Sequence, residues 1–184
     1  MDRSEAVALM EAHLEADNLR KHCLASEAIM RKLAQRLGHD PDKWGLAGLL
    51  HDLDYDQTKD TPERHGLVAA DILREKGVDD DIIQAIMAHN AEMLGLERKT
   101  QFDLALTCAE SITGMVVATA LVYPDKKIKS VKPKSITKRM KEKAFARGAR
   151  REHILLCEQL GFNISDFAAL SLEAMGEIDK ELGL

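Results

Sequence analysis

Apolar positions recur every three to four residues along almost the whole chain, and no stretch shows the strict alternation of a half-buried strand. The pattern predicts helices over residues 4–17 and 19–37, the second ending at Gly38 in a C′ position. A third helix begins in "HDPDKWGLAGLLHD", with Asp40 as N-cap and Pro41 in the first turn. "DTPERHGLVAADILREKG" repeats the device with Thr61 and Pro62 and ends at Gly77, and "VDDDIIQAIMAHN" is a short capped helix. "TQFDLALTCAESITGMVVATALV" opens with Thr100 and Asp103 in capping-box spacing and is closed by Tyr123-Pro124. Val116-Val117 and Leu121-Val122 are β-prone locally, but the longer helical period prevails. Ser135 and Ser165 cap two later helices, with Gly161 between them. Segments 53–61 and 123–134 read as loops. The expected fold is all-α, with orthogonally packed helices.

Composition fits one domain. The chain has 184 residues, 45% hydrophobic and 31% charged, enough to bury a full core. No apolar stretch is expected to approach the length of a membrane span, and the acidic, amphipathic N-terminus is expected to be neither a signal nor a transit peptide. Cys23, Cys108 and Cys157 are isolated, which argues for buried thiols in a reducing cytoplasm rather than disulfides or a thiolate zinc site. Trp44 reads as packing for the third helix. Met115, Val116 and Leu121 read as a core stripe, and His13, His39 and His153 as surface residues. No glycine-rich phosphate-binding fingerprint is present.

The charge is uneven. Residues 126–151 hold 12 Lys/Arg and one acid, Glu142, for +11, against −16 in the remainder. Such a patch meets phosphates, nucleic acid or acidic partners. Phe145 is its only aromatic, which gives base stacking little support.

The candidate chemistry begins at "GLLHDLDYD", where an apolar run leads directly into His51-Asp52. A helix packed only for stability has no use for that pair. Further donors lie on or near the apolar sides of other helices: His22, His65, His89 and Glu110. One such histidine is commonly a satisfied core residue. Four, with an Asp and a Glu over five consecutive helices, point to a divalent metal site for Fe, Mn, Zn, Ni or Mg.

This order of ligands resembles the HD superfamily of metal-dependent phosphohydrolases. The stretches that carry the resemblance are "KHCLASEAIMRKLAQRLG", "WGLAGLLHDLDYD", "ERHGLVAADIL", "IIQAIMAHN" and "LALTCAESITG". The expected organisation is an N-terminal helix over 1–17, an HD core over 18–122 and, outside the motif, a basic loop and C-terminal helices packing on the core over 123–184. The resemblance implies one metal at His22, His51, Asp52 and Glu110 and a second at Asp52, His65 and His89, with Asp52 bridging. Glu110 departs from the family pattern, which has Asp there. Its longer arm either still ligates or turns away.

The implied activity is hydrolysis of a phosphomonoester or phosphodiester in a nucleotide-like small molecule, in the cytoplasm and away from membranes. Lys134, Lys138 and Lys141, at helical spacing, are candidates for binding the phosphate. The plainer alternative is a solvated basic face. Asp56 and Glu63 are candidates for protonating the leaving group, against loop solvation and capping. Two rivals stand beside the enzyme: a non-catalytic sensor of a phosphorylated ligand, and a nucleic-acid-binding protein on the same scaffold.

Overall fold

The computed structural model describes residues 1–184 and is all-α, without strands. Helix α1 (Arg3–His13) starts from a capping box between Asp2 and Glu5. Helix α2 (Asp17–Leu37) ends at Gly38, in the left-handed region at φ 77°. Helix α3 (Pro41–Leu50) is capped by Asp40, and α8 (Gln101–Leu121) by the Thr100–Asp103 box. Helices α5 (Leu67–Glu75), α6 (Asp80–His89) and α11 (Ile164–Glu177) complete the larger elements. Shorter turns are α4 (Tyr55–Thr58), α7 (Ala91–Leu94), α9 (Pro133–Arg139), α10 (Arg151–Ile154) and α12 (Asp179–Leu182).

Helix α8 is central. It packs on α2, α6, α9, α10 and α11, and 14 of its 21 residues are buried. Burial on most sides explains its continuous apolarity, which gives it the length and composition of a membrane span in spite of the sequence expectation. Trp44 of α3 stacks on Phe102 of α8 at 5.0 Å, as its packing role anticipates. Leu121, expected in the core stripe with Met115 and Val116, is instead 49% exposed at the end of α8.

Two local features set up the functional region. Gly48 lets α3 approach α2 closely: a Cβ at that position would lie 2.8 Å from backbone atoms of Ser26 and Glu27. That approach brings the end of α3, where His51 and Asp52 follow, against the turn of α2 that carries His22. On the same stretch of α2, the buried Glu27 carboxylate accepts from Arg3 Nε at 2.6 Å and Arg31 Nε at 2.8 Å, which pins α1 to α2.

The second feature corrects the expectation of one helix from Thr61 to Gly77. Pro62–Arg64 form a single 3-10 turn, His65 is extended, and Gly66 has φ +88°, so α5 starts only at Leu67. The break leaves His65 on a connection rather than in a helical turn. Likewise, Asn163 rather than Ser165 caps α11, and α9 begins at Pro133 rather than at Ser135.

Candidate metal centre

Three helices and one connection meet at Asp52. His22 comes from the second turn of α2, His51 and Asp52 from the end of α3, His65 from the 62–66 connection, and His89 from the last turn of α6. The donor atoms of His22, His51 and Asp52 lie within 4.8 Å of one another, as do those of Asp52, His65 and His89. Asp52 belongs to both groups. Its Oδ2 is 3.6 Å from His22 Nε2, and its Oδ1 is 3.5, 3.3 and 3.8 Å from the Nε2 atoms of His51, His65 and His89.

The outward ring nitrogens show what the inward ones can do. His51 Nδ1–H donates to the Gly48 carbonyl at 2.9 Å, and His89 Nδ1–H to the Ile86 carbonyl. His22 Nδ1 lies 2.8 Å from Thr113 Oγ1, whose own proton goes to the Glu110 carbonyl, so the imidazole is the donor. These bonds fix the tautomers and leave the Nε2 lone pairs facing inward. His22 and His51 then oppose two bare acceptors across 3.1 Å, a repulsive arrangement unless a cation lies between them. Two bonds of about 2.1 Å at right angles would set donors about 3.0 Å apart. The donor set fits a divalent ion at each cluster, with Asp52 shared.

His65 is held differently. Its Nδ1–H donates to Asp54 Oδ1 at 2.8 Å, and Asp54 Oδ2 accepts from the Gly66 and Ala69 backbone N–H groups, at 2.8 and 2.9 Å. Asp54 is fully buried and caps the start of α5 while orienting the ligand. No motif spacing in the sequence marks Asp54. Its signal was the acid two residues after His51-Asp52, which becomes meaningful only once His65 folds back onto it. Asn90 Nδ2 reinforces the connection by donating to the Pro62 and His65 carbonyls, at 2.8 and 3.0 Å.

The charges follow this packing. Burial opposes ionisation of Asp52, but His51, His65, His22 and His89 together hold its pKa far below the usual carboxylate range. Burial also opposes charge on His65, yet Asp52 and Asp54 push its pKa up to about 10. Burial lowers His22, and burial with His65 and His51 nearby lowers His89 to about 4. The second cluster therefore carries a proton on His65 Nε2, 2.9 Å from His89 Nε2. A divalent cation there would replace that proton.

Other candidates lie elsewhere. Glu110 is outside both groups of converging donors. Its carboxylate accepts from Ser111 Oγ and lies 4.0 Å from His153 Nδ1. Burial raises its pKa, but His153, His22, His51 and His89 bring it below the usual value. Asp56 accepts from the Glu15 backbone N–H at 2.8 Å and so ties the α1–α2 connection; it lines no part of the cavity beside the cage. Glu63 is exposed on the 3-10 turn and lines no part of the cavity beside the cage. Lys134 and Lys138 are exposed on α9, and Lys141 follows the end of that helix, so the expected three-lysine face is interrupted. None of the three reaches the cavity.

That cavity, of about 210 Å³, is lined by Asp52, His65 and His89 of the cage together with Tyr55 and Asn90. Glu110 and Ser111 of α8 and Gly148, Arg150 and His153 complete the lining. His153 is thus a correction. Expected at the surface, it is 4% exposed and faces the candidate centre. Its neighbours in sequence carry no motif that would have marked it.

Among curated proteins the chain is similar to Ribonuclease Y of Nitratidesulfovibrio vulgaris (strain DP4), 34% identical over 99 residues, which are 54% of this chain and 18% of that one. An uncharacterized protein of Methanocaldococcus jannaschii is 30% identical over 111 residues, 58% of this chain and 63% of that one. Ribonuclease Y of Sulfurovum sp. (strain NBC37-1) is 27% identical over 165 residues, 88% of this chain and 32% of that one. The chain spans less than a fifth of the length of the first Ribonuclease Y relatives. No solved structure matches it. Residues 19–118, which supply all five converging donors, match the model of the HD domain, and the chain belongs to the HD domain family.

Proposed function

We propose that the protein is a metal-dependent phosphohydrolase acting on a phosphomonoester or phosphodiester of a nucleotide-like small molecule. The observation that carries this reading is the convergence of four imidazole Nε2 atoms on Asp52, with three of the outer Nδ1 protons committed to a hydroxyl or backbone carbonyls. His22, His51 and Asp52 would hold one ion, and Asp52, His65 and His89 the other. Divalent ions bound there supply Lewis acidity, for activating water and for offsetting phosphate charge. The protein's part is to hold the donors in place and to shape the adjoining cavity. Asp54 and Asn90 keep His65 on its connection, and Thr113 fixes the His22 ring. Arg150 brings a cation to the cavity wall. It is the member of the basic 126–151 stretch best placed to meet a phosphate, in the role that the sequence had suggested for Lys134, Lys138 and Lys141.

A second reading, cleavage of a nucleic acid, draws on two facts. Lys132, Lys134, Lys138, Lys141, Lys143 and Arg147 are exposed and make no ion pair, and two of the relatives described above are named Ribonuclease Y. One experiment separates the readings. Purified protein is analysed for metal, then assayed with Mn, Fe, Zn, Ni or Mg on a panel of nucleotides, generic phosphoesters and single-stranded RNA. The leading reading expects metal-dependent turnover of small phosphoesters with weak salt dependence. Turnover confined to RNA, falling steeply with salt, selects the second reading. A metal-loaded protein without any turnover overturns both and leaves a sensor.

A further inference from the structure

The wall facing the cage comes from residues 142–153, outside the family-matched segment 19–118. It is a built structure. Arg151 donates from Nη1 to the Ala146 and Ala149 carbonyls, both at 2.7 Å, and from Nη2 to the Glu142 carbonyl at 3.2 Å and to the Phe145 carbonyl. One guanidinium thus collects four carbonyls and folds 142–149 into a knob. Ala146 lies in the left-handed region at φ 44°, a strained conformation for a residue with a Cβ that this clamp maintains. The knob delivers Gly148 and Arg150 to the cavity rim, and α10 delivers His153 to its side.

Two groups on this wall lack partners of their own. The first is the Arg150 guanidinium. Its nearest acid, Glu92, is 3.8 Å away and already accepts from Arg98 Nη1 and Nη2 at 2.6 and 2.9 Å. Arg150 therefore shares Glu92 with Arg98 at a longer distance and keeps a half-exposed charge only partly offset. The second is His153 Nδ1, which is buried and has no hydrogen-bond partner. The ring's other nitrogen lies 3.1 Å from Glu92 Oε1. Arg98 holds Glu92 ionised, with its pKa lowered to about 2, so the carboxylate accepts and His153 Nε2 is the donor. In the neutral ring, Nδ1 is then a lone pair without a donor; Glu110 Oε1, 4.0 Å away, is itself an acceptor, and both residues line the cavity. A buried acceptor without a donor is costly, because folding strips it of water and gives nothing in return.

We propose that Arg150 and His153 form a sugar-phosphate subsite beside the metal cage. Arg150 takes a phosphate oxygen that faces away from the cage, and His153 Nδ1 accepts from a ring hydroxyl of the same molecule. The substrate class that fits is a phosphate ester with a free hydroxyl close to phosphorus, a ribose phosphate being the natural example. A 210 Å³ cavity encloses such a fragment but not a base as well, so a nucleotide would leave its base outside. The assignment rests on the proposed phosphohydrolase reading and deepens it.

The test compares adenosine 5′-monophosphate with its 2′,3′-dideoxy analogue, which keeps phosphate and base and lacks both ring hydroxyls. With the metal-loaded wild type, kcat/KM should favour the hydroxylated substrate by about tenfold or more, since a site built to hydrogen-bond a hydroxyl discriminates against its loss. His153→Ala should bring that ratio to within about threefold. His153→Asn, which can place an amide oxygen near the Nδ1 position, should restore part of it. Arg150→Ala should raise KM for both substrates about tenfold and leave their ratio in place. Metal content and melting temperature establish that each variant is folded.

If the wild type turns over no phosphoester, the phosphohydrolase reading fails, and the subsite is judged by binding alone. Calorimetric titration of the metal-free protein with the same two nucleotides should then show tighter binding of the hydroxylated one, lost in His153→Ala. Equal kcat/KM or equal affinity for the two nucleotides in wild type overturns the subsite. So does a preference that survives in His153→Ala, which would mean that water alone partners Nδ1.

Discussion

The cavity has two walls of different construction. The cage wall is drawn from α2, α3, α6 and the 62–66 connection, and its donors are oriented by backbone carbonyls, Thr113 and the buried Asp54. The facing wall is a knob of irregular chain held mainly by one guanidinium. The cage donors all lie inside the family-matched segment, while the knob belongs to a segment beyond it. Under the proposed function the contrast is a division of labour: the cage wall would set which metal is held, and the facing wall which phosphate ester is accepted. Substitutions should sort accordingly, with changes in the cage costing metal and changes in the knob costing substrate selectivity.

The largest expected effect is at Asp52. Asp52→Ala should abolish activity and lose ions from both clusters, whereas His65→Ala or His89→Ala should lose only the second. Substituting groups that merely orient ligands typically costs 10–100-fold in metal affinity, so removal of the shared ligand should exceed about 100-fold. Equal metal loss in all three variants, read by elemental analysis after dialysis, would contradict the bridging role.

Next in size is the dependence on pH. His65 is raised to about 10 in the metal-free protein, so below that pH an ion must displace its proton. Metal affinity at the second cluster should rise by up to about tenfold per pH unit between roughly pH 7 and 9. The linked stability has the opposite sign. The raised His65 stabilises the metal-free fold fully below its unfolded value of about 6.5, and that contribution is lost as pH rises through about 10. His89, lowered to about 4, works at the other end: stability falls as pH drops from about 6.5 toward 4, because the unfolded chain takes up a proton that the folded ring refuses. Metal titrations and melting curves across pH 5–10 check both slopes. An affinity independent of pH would contradict the displaced proton.

Asp54→Asn should weaken the second ion about 10–100-fold while the first stays bound. Gly48→Ala should destabilise by about 1–3 kcal/mol, because its Cβ meets the Ser26–Glu27 backbone rather than a flexible side chain. Thermal unfolding measures this directly, and an unchanged melting temperature would mean that α2 and α3 can separate without cost.

Most of the cage was legible in the sequence, and most of the knob was not, for a physical reason. His22, His51, Asp52 and His89 sit at fixed places in helices whose apolar faces determine how the helices pack, so periodicity carries their positions. His65 was legible as a donor but not in its setting, because Gly66 breaks the expected helix. Asp54 gained its role only through contacts with residues 65, 66 and 69. Arg150 and His153 lie where no periodic pattern runs. Their placement depends on Arg151 finding four carbonyls, a tertiary event that local spacing does not encode. The expected face of Lys134, Lys138 and Lys141 failed for the same reason: helical spacing was extended past Arg139, where α9 ends.

Glu110 carries the smallest expected effect on metal. Its carboxylate lies outside the converging donors, toward Ser111 and His153, so Glu110→Ala should leave metal stoichiometry unchanged. Loss of one ion in that variant would return Glu110 to the ligand set.

The central claim, a cage of two ions sharing Asp52, is tested most directly by anomalous diffraction from crystals grown with saturating manganese. The account predicts two peaks per chain, about 3.5–4 Å apart, one beside the His22 and His51 Nε2 atoms and one beside those of His65 and His89, with Asp52 touching both. No peak within bonding distance of Asp52, at saturating metal and neutral pH, would contradict it.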